Sequence, residues 1–146
     1  MFSLLFRIVI LIRANRLRNK YHYYRVYLQI ITWGETMPIE QMKIGYDNFC
    51  YVIYCLEHKK AAIVDPGFDS TPARNFLTSK NLVFEYIILT HHHSDHTAEA
   101  KHLKKTFPAS KVVASEEDGK KLPVQPDIVI RDNDHLKLGT ILCLFF

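Results

Sequence analysis

The stretch Tyr86-Ile87-Ile88-Leu89-Thr90-His91-His92-His93-Ser94-Asp95-His96 decides how this chain reads. Four of the eight histidines fall within its last six residues. With eight histidines and eight aspartates among 146 residues, composition alone produces His-x-His-x-Asp-His in roughly one such chain in a thousand. Tyr86 to Leu89 is a short apolar run and predicts a strand. Ala98 to Phe107 predicts a helix, with Ala100, Leu103 and Phe107 on one face and Lys101, Lys104 and Lys105 on the other; Pro108 stops it. The histidines therefore stand on a loop between a strand and a helix, where rigid elements hold functional side chains. A solvated His-rich surface loop is the bland alternative, and the strand-motif-helix context disfavours it.

The spacing has a chemical reason. Residues two apart in an extended segment point the same way, so His91 and His93 can face one metal ion. Asp95 and His96 turn the corner into the helix and offer an oxygen and an imidazole to a second. Neutral imidazole and carboxylate suit Zn, and also Fe or Mn. His92 points opposite its neighbours and is read as a non-ligand. His22, His58, His102 and His135 are read as surface residues.

Upstream, Phe49 to Leu56 is a near-continuous apolar run and Ala61 to Val64 a second, joined by the polar turn Glu57-His58-Lys59-Lys60. They predict a hairpin of buried strands, closed by the turn signal Asp65-Pro66-Gly67. Ser70 predicts the N-cap of a helix reaching about Ser79, with Pro72 in its first turn. Downstream, Lys111 to Ala114, Ile128 to Ile130 and His135 to Leu138 predict strands, the last two split by Asp132-Asn133-Asp134. An opening hairpin followed by alternating strands and helices indicates α/β or α+β with a mixed sheet. The chain contains no internal repeat and no low-complexity linker.

The segment resembles the N-terminal half of the metallo-β-lactamase superfamily, and within it the glyoxalase II-type (hydroxyacylglutathione) hydrolases. The residues carrying the resemblance are Asp47-Asn48-Phe49-Cys50-Tyr51, Ala61-Ala62-Ile63-Val64-Asp65-Pro66-Gly67, Tyr86 to Thr90 with the His-rich motif, and Leu138-Gly139. They span roughly residues 42–140. The motif is specific for the superfamily and much less so for the substrate. The resemblance implies an α+β fold, the αβ/βα four-layer sandwich, with two Zn ions at one edge. It assigns His91 and His93 to the first metal and Asp95 and His96 to the second. Asp95 would also act catalytically by orienting the attacking hydroxide. Asp65 would stand behind the ligands; the bare residues equally allow it to be only the former of the Asp-Pro-Gly turn. The metal pair would bring a water to a pKa of about 7 for attack on a small-molecule thioester carbonyl. No Ser or Cys nucleophile is needed, and Cys50 and Cys55 read as packing residues.

The family pattern also contains a Thr-Pro-Gly-His segment, a metal-bridging aspartate and a final histidine, and none of these occurs here. Residues 37–146 therefore read as a truncated domain holding the first half of the fold. That reading leaves the first sheet without a partner sheet and makes Ile141-Leu142-Cys143-Leu144-Phe145-Phe146 an unprotected, aggregation-prone strand. Two alternatives to the hydrolase stand: an iron persulfide dioxygenase-like member of the same fold, and a non-catalytic truncated isoform.

Charge separates the N-terminal part from the rest. Six of the 19 basic residues, Arg7 to Arg25, precede Glu35, and none of the 15 acidic ones does. Residues 1–36 read as a basic leader of mitochondrial type, or as a non-native extension with Met37 or Met42 the natural start. Localisation is accordingly expected to be mitochondrial or cytoplasmic. The aromatic cluster Tyr21, Tyr23, Tyr24 and Tyr27 carries no assigned chemistry. The remainder is slightly acidic, which disfavours a nucleic-acid partner. No apolar run reaches membrane-spanning length. Three cysteines without C-x-x-C spacing exclude a disulfide scaffold and fit a reducing compartment. Nothing in the sequence sets the oligomeric state.

Overall fold

The computed structural model describes residues 6–8, 28–32, 39–46 and 48–145. In chain order these form β1 (Phe6–Ile8), β2 (Leu28–Thr32), β3 (Ile39–Ile44), β4 (Asn48–Cys55), β5 (Lys60–Val64), α1 (Thr71–Ser79) and β6 (Val83–Ile88). There follow α2 (Ser94–Thr97), α3 (Ala100–Thr106), β7 (Lys111–Ser115), α4 (Glu116–Gly119), β8 (Ile128–Ile130), β9 (His135–Leu138) and β10 (Ile141–Phe145). The Tyr21–Tyr27 cluster and Asp47 lie outside the described residues, as does most of the 1–36 segment.

Six strands make one sheet in the order β3-β4-β5-β6-β7-β8. The expected hairpin is β4 and β5, antiparallel, with Tyr51 opposite Val64. From β5 to β8 the strands run parallel, each joined to the next through helical segments. Their continuous apolar runs follow from burial on both faces. In β4, Val52 belongs to the core beneath α1 and α3, and Ile53 to the core on the other side. Ala61 and Ala62, Ile87 and Ile88, and Val112 and Val113 divide in the same way. Period-2 alternation thus supplies two cores from one strand set.

The second core corrects an expectation. The first sheet does not lack a partner: β1, β2, β10 and β9 form a four-stranded sheet in that order. Leu136, Leu138, Ile141, Cys143 and Phe145 pack against Ile53, Val64, Ile88 and Val113 of the large sheet. Nor is the terminal run an unprotected strand. β10 pairs antiparallel with β9 on one side and β2 on the other, so both of its edges are hydrogen-bonded. Strand β2, which local pattern did not reveal, satisfies that second edge. The described residues build three layers: helices, six-stranded sheet and four-stranded sheet. Among them, no helix is long and apolar enough to cross a membrane.

Other differences are local. Strand β3 was not expected, because its burial follows no clean alternation. Ser70 occupies the N-cap position of α1 but makes no side-chain cap. Its hydroxyl instead bonds Glu99 Oε2 at 2.6 Å, while Asp69 Oδ1 accepts from Thr71 N at 2.9 Å. The helix expected from Ala98 is preceded by the extra turn α2, which contains Asp95 and His96. Cys50 packs as expected, and burial pushes its thiol up. Cys55 is buried but has polar company: Thr140 Oγ1 at 3.4 Å and His58 Nδ1 at 3.5 Å. Burial pushes its thiol up, and the hydrogen bonds to Thr140 and His58 outweigh that and bring it down to about 7.

The turn after β5 docks on α2. Gly67 N donates to His96 O at 3.0 Å, and Gly67 O accepts from Glu99 N at 2.9 Å. Gly67 has φ +62°, and a Cβ there would overlap Ile44 Cδ1 and stand 3.1 Å from Asp95 O. Gly67→Ala is expected to lower stability by about 1–2 kcal/mol from the left-handed backbone alone. Urea denaturation measures it; an unchanged midpoint would mean that the turn relaxes freely.

Candidate metal centre

The His-rich loop lies where parallel strands end. Asp65 follows β5, Thr90 and His91 follow β6, and Asp118 lies in α4 directly after β7. Carboxyl ends of parallel strands are the usual place for ligand sites in such sheets. Strand β4 runs antiparallel to β5, so its first residue, Asn48, arrives at the same end.

Asp65 is the buried anchor of the loop. It is 1% exposed and adopts φ +49°, a left-handed conformation that Asp tolerates better than most residues. Its Oδ1 accepts from Thr90 N at 2.8 Å. Its Oδ2 accepts from Thr90 Oγ1 and lies 3.0 Å from His96 Nδ1. A carboxylate accepts, so His96 carries its proton on Nδ1 and leaves Nε2 as a lone-pair donor. The same logic passes through Thr90. Its hydroxyl proton goes to Asp65, so its oxygen accepts from His91 Nδ1 at 3.0 Å. His91 thus also presents Nε2. One carboxylate thereby sets the tautomers of two imidazoles, a role by which outer groups tune metal ligands.

Around His91 the donor atoms converge. His91, His93 and Asp95 each offer one ligand atom within 4.8 Å of the others, and so do Asp65, His91 and His96. The His91 ring lies 4.0 Å from that of His96 and 4.8 Å from that of His93, centroid to centroid. Asp95 Oδ2 stands 3.4 Å from His96 Nε2. Asn48 Nδ2 holds Asp95 from the other side, donating to its Oδ2 at 3.2 Å and its backbone O at 2.9 Å. Asp95 thus stands within reach both of His91 and His93 and of His96, while Asp65 stands behind His91 and His96.

Electrostatics prepare the two central histidines differently. Burial, aided by neighbouring His96, brings His91 down to about 4, so it is neutral at pH 7. For His96, burial pushes down, but the hydrogen bond and charge of Asp65 outweigh it and raise the pKa above the usual histidine value. With the Asp95 carboxylate, neutral His91 and carboxylate-held His96 offer nitrogen and oxygen donors of the kind divalent transition metals take.

His92 joins neither donor group, although its ring packs edge-on against that of His93, centroids 4.9 Å apart. Its Nδ1 lies 2.7 Å from Asp118 Oδ1, and its backbone N–H donates to the same oxygen at 3.1 Å. His58, His102 and His135 are exposed and lie outside either donor group. His22 is outside the described residues. Asn48 enters the sequence reading only within the resemblance, with no role, and Asp118 does not enter it. Asn48 had a signal, since it opens an apolar strand in an Asp-Asn pair; Asp118 sits in the charged run Glu116-Glu117-Asp118 and had none.

The pattern of the metallo-beta-lactamase superfamily matches residues 45–138. The chain belongs to the metallo-beta-lactamase superfamily. Solved structures agree in fold. The BLEG-1 B3 metallo-beta-lactamase superposes with TM-score 0.60 at 23% identity, over 70% of this chain and 57% of that one. ETHE1 from Myxococcus xanthus gives TM-score 0.61 at 19% identity, over 73% and 46%. Curated relatives point within the superfamily. A hydroxyacylglutathione hydrolase of Prochlorococcus marinus (strain NATL1A) is 37% identical over 100 residues, covering 68% of this chain and 38% of that protein. A probable hydroxyacylglutathione hydrolase of Schizosaccharomyces pombe is 30% identical over 111 residues, covering 73% and 41%. The chain therefore spans about two fifths of the relatives' length. Its fold is the corresponding part of the metallo-beta-lactamase fold.

Proposed function

We propose that this chain carries the metal-binding loop of a zinc-dependent hydrolase acting on thioesters of the hydroxyacylglutathione type. The observation that carries the reading is the convergence of His91, His93, Asp95 and His96, with His91 and His96 held in the Nε2-donating form. Similarity to the hydroxyacylglutathione hydrolases supports the choice of substrate class.

The geometry supports the following roles. His91 and His93 would hold one ion, and His96 with Asp95 Oδ2 beside its Nε2 would hold the other; Asp65 would orient His96. Ions held there supply Lewis-acid polarisation of a carbonyl and activation of a water. Asp95 Oδ2, steadied by Asn48, would orient that water and hold its proton. Asp65 and Thr90 keep His91 and His96 from rotating. Cysteine takes no part, because Cys50 and Cys143 are pushed up by burial and Cys55 lies at the opposite end of β4 from Asn48.

The test has two arms. Calorimetric titration of this chain with zinc is expected to show uptake that His93→Ala weakens by about tenfold or more. Release of glutathione from S-lactoylglutathione by the zinc-loaded complete protein is expected to disappear in the same variant. Zinc uptake without thioester cleavage would leave the metal centre and remove the substrate class. Iron uptake with oxygen consumption would replace the hydrolase by the dioxygenase reading.

A further inference from the structure

His91-His92-His93 poses a choice that its sequence leaves open. An extended tripeptide sends alternate side chains to opposite sides, so the loop can present either His92 alone or His91 and His93 together. In the structure the second arrangement holds, and the group that selects it comes from another part of the chain. Asp118 is 5% exposed. Its Oδ1 takes both the backbone N–H of His92, at 3.1 Å, and the His92 ring at Nδ1, at 2.7 Å. Its Oδ2 accepts from Ser115 Oγ at 3.0 Å, and Ser115 Oγ in turn caps Asp118 N at 3.2 Å. The carboxylate is thus fixed at the end of β7 before it meets the loop. Binding both backbone and ring of the middle histidine leaves the loop no freedom to rotate by one residue.

We propose that Asp118 is a positioning residue that pins His92 away from the metal site and thereby turns His91 and His93 toward it. The proposal rests on the metal reading above. Its hydrogen bonds go to His92 and Ser115 and not to the side chains of His91 or His93; it acts through the backbone and ring of the residue between them. Asparagine at 118 keeps an acceptor for the His92 N–H and a partner for the ring, whereas alanine keeps neither.

The test is cobalt(II) titration of this chain, read by the visible absorption of the bound ion, with far-UV circular dichroism to verify folding. Asp118→Ala is expected to weaken cobalt binding by about 10- to 100-fold and to alter the absorption band, the range seen when outer partners of metal ligands are removed. Asp118→Asn is expected to stay within about threefold of wild type. His92→Ala, which removes the ring contact alone, is expected to lose about three- to tenfold, and it decides the matter if Asp118→Ala does not fold. A role confined to stability would lower the melting temperature and leave the folded protein's cobalt affinity and spectrum unchanged. That result in Asp118→Ala or His92→Ala overturns the proposal, as does an Asp118→Asn loss equal to that of alanine, which would mean charge rather than position. No cobalt uptake by the wild type removes the metal reading itself; uptake indifferent to Asp118 removes only the clamp.

Discussion

Asp65→Ala is expected to unfold or severely loosen the metal loop, at a cost of about 3–5 kcal/mol. The substitution strands the Thr90 N–H, the Thr90 hydroxyl and the His96 Nδ1–H in a region where Asp65 is 1% exposed. Metal affinity should fall with it by about 10- to 100-fold, because nothing then keeps His96 Nε2 free. Asp65→Asn separates the two effects. Its oxygen still serves Thr90 N–H, but its amide donates one N–H to Thr90 Oγ1 and the other to His96 Nδ1, which moves the His96 proton to Nε2. Stability should change little, while zinc affinity falls almost as far as in alanine. A pH dependence follows in the metal-free protein. Asp65 raises the His96 pKa above its unfolded value, about 6.5 for an ordinary histidine. The resulting stabilisation is fully present below that unfolded value and is lost as pH rises through the folded one. Wild type should therefore exceed Asp65→Asn in stability by more at pH 5.5 than at pH 8.5. Denaturant titrations in chelator at the two pH values check this; equal differences would mean that the pair does not bind a proton.

His91→Ala should abolish metal uptake more completely than loss of any other loop side chain, by at least about 100-fold. His91 is the one residue common to both donor groups. Its removal should barely affect folding, since the side chain is half-buried and, with its pKa near 4, neutral at pH 7. The pH profile of wild-type binding separates the two histidines. Metal displaces the proton from whichever ligand holds one, so affinity drops by about one decade per pH unit below that ligand's pKa. His96, raised by Asp65, should set the first decline as pH falls, and His91 should add a second only near pH 4. Zinc titration against a competing chelator from pH 5 to 8 reads the slope. A flat profile would exclude His96 as a ligand.

Much of this architecture was visible in local pattern. The hairpin β4–β5, the parallel strands and helix α1 announce themselves because strands buried on both faces must be apolar throughout, and Asp-Pro-Gly must turn. The misses have two causes. Strand β3 has no clean alternation, and β2 and β10 owe their place to each other across more than a hundred residues. Local propensity cannot report a distant edge, so a paired strand looked like an exposed one. Cys55 looked like packing for the same reason: its partner Thr140 is 85 positions away.

The order of residues from Thr90 to His96 determined that imidazoles and a carboxylate would crowd one bend between a strand and a helix. That much is covalent, since neighbours in an extended loop alternate sides whatever the fold. The chain alone did not say what would hold His92 on its side, which nitrogen would hold a proton, or whether Asp65 would be more than a turn-former. Asp65 and Asp118 decided those matters, and they reach the loop only because three parallel strands end side by side. Hydrogen bonds act over about 3 Å, and folding alone brings residues 25 and 26 positions apart within that reach.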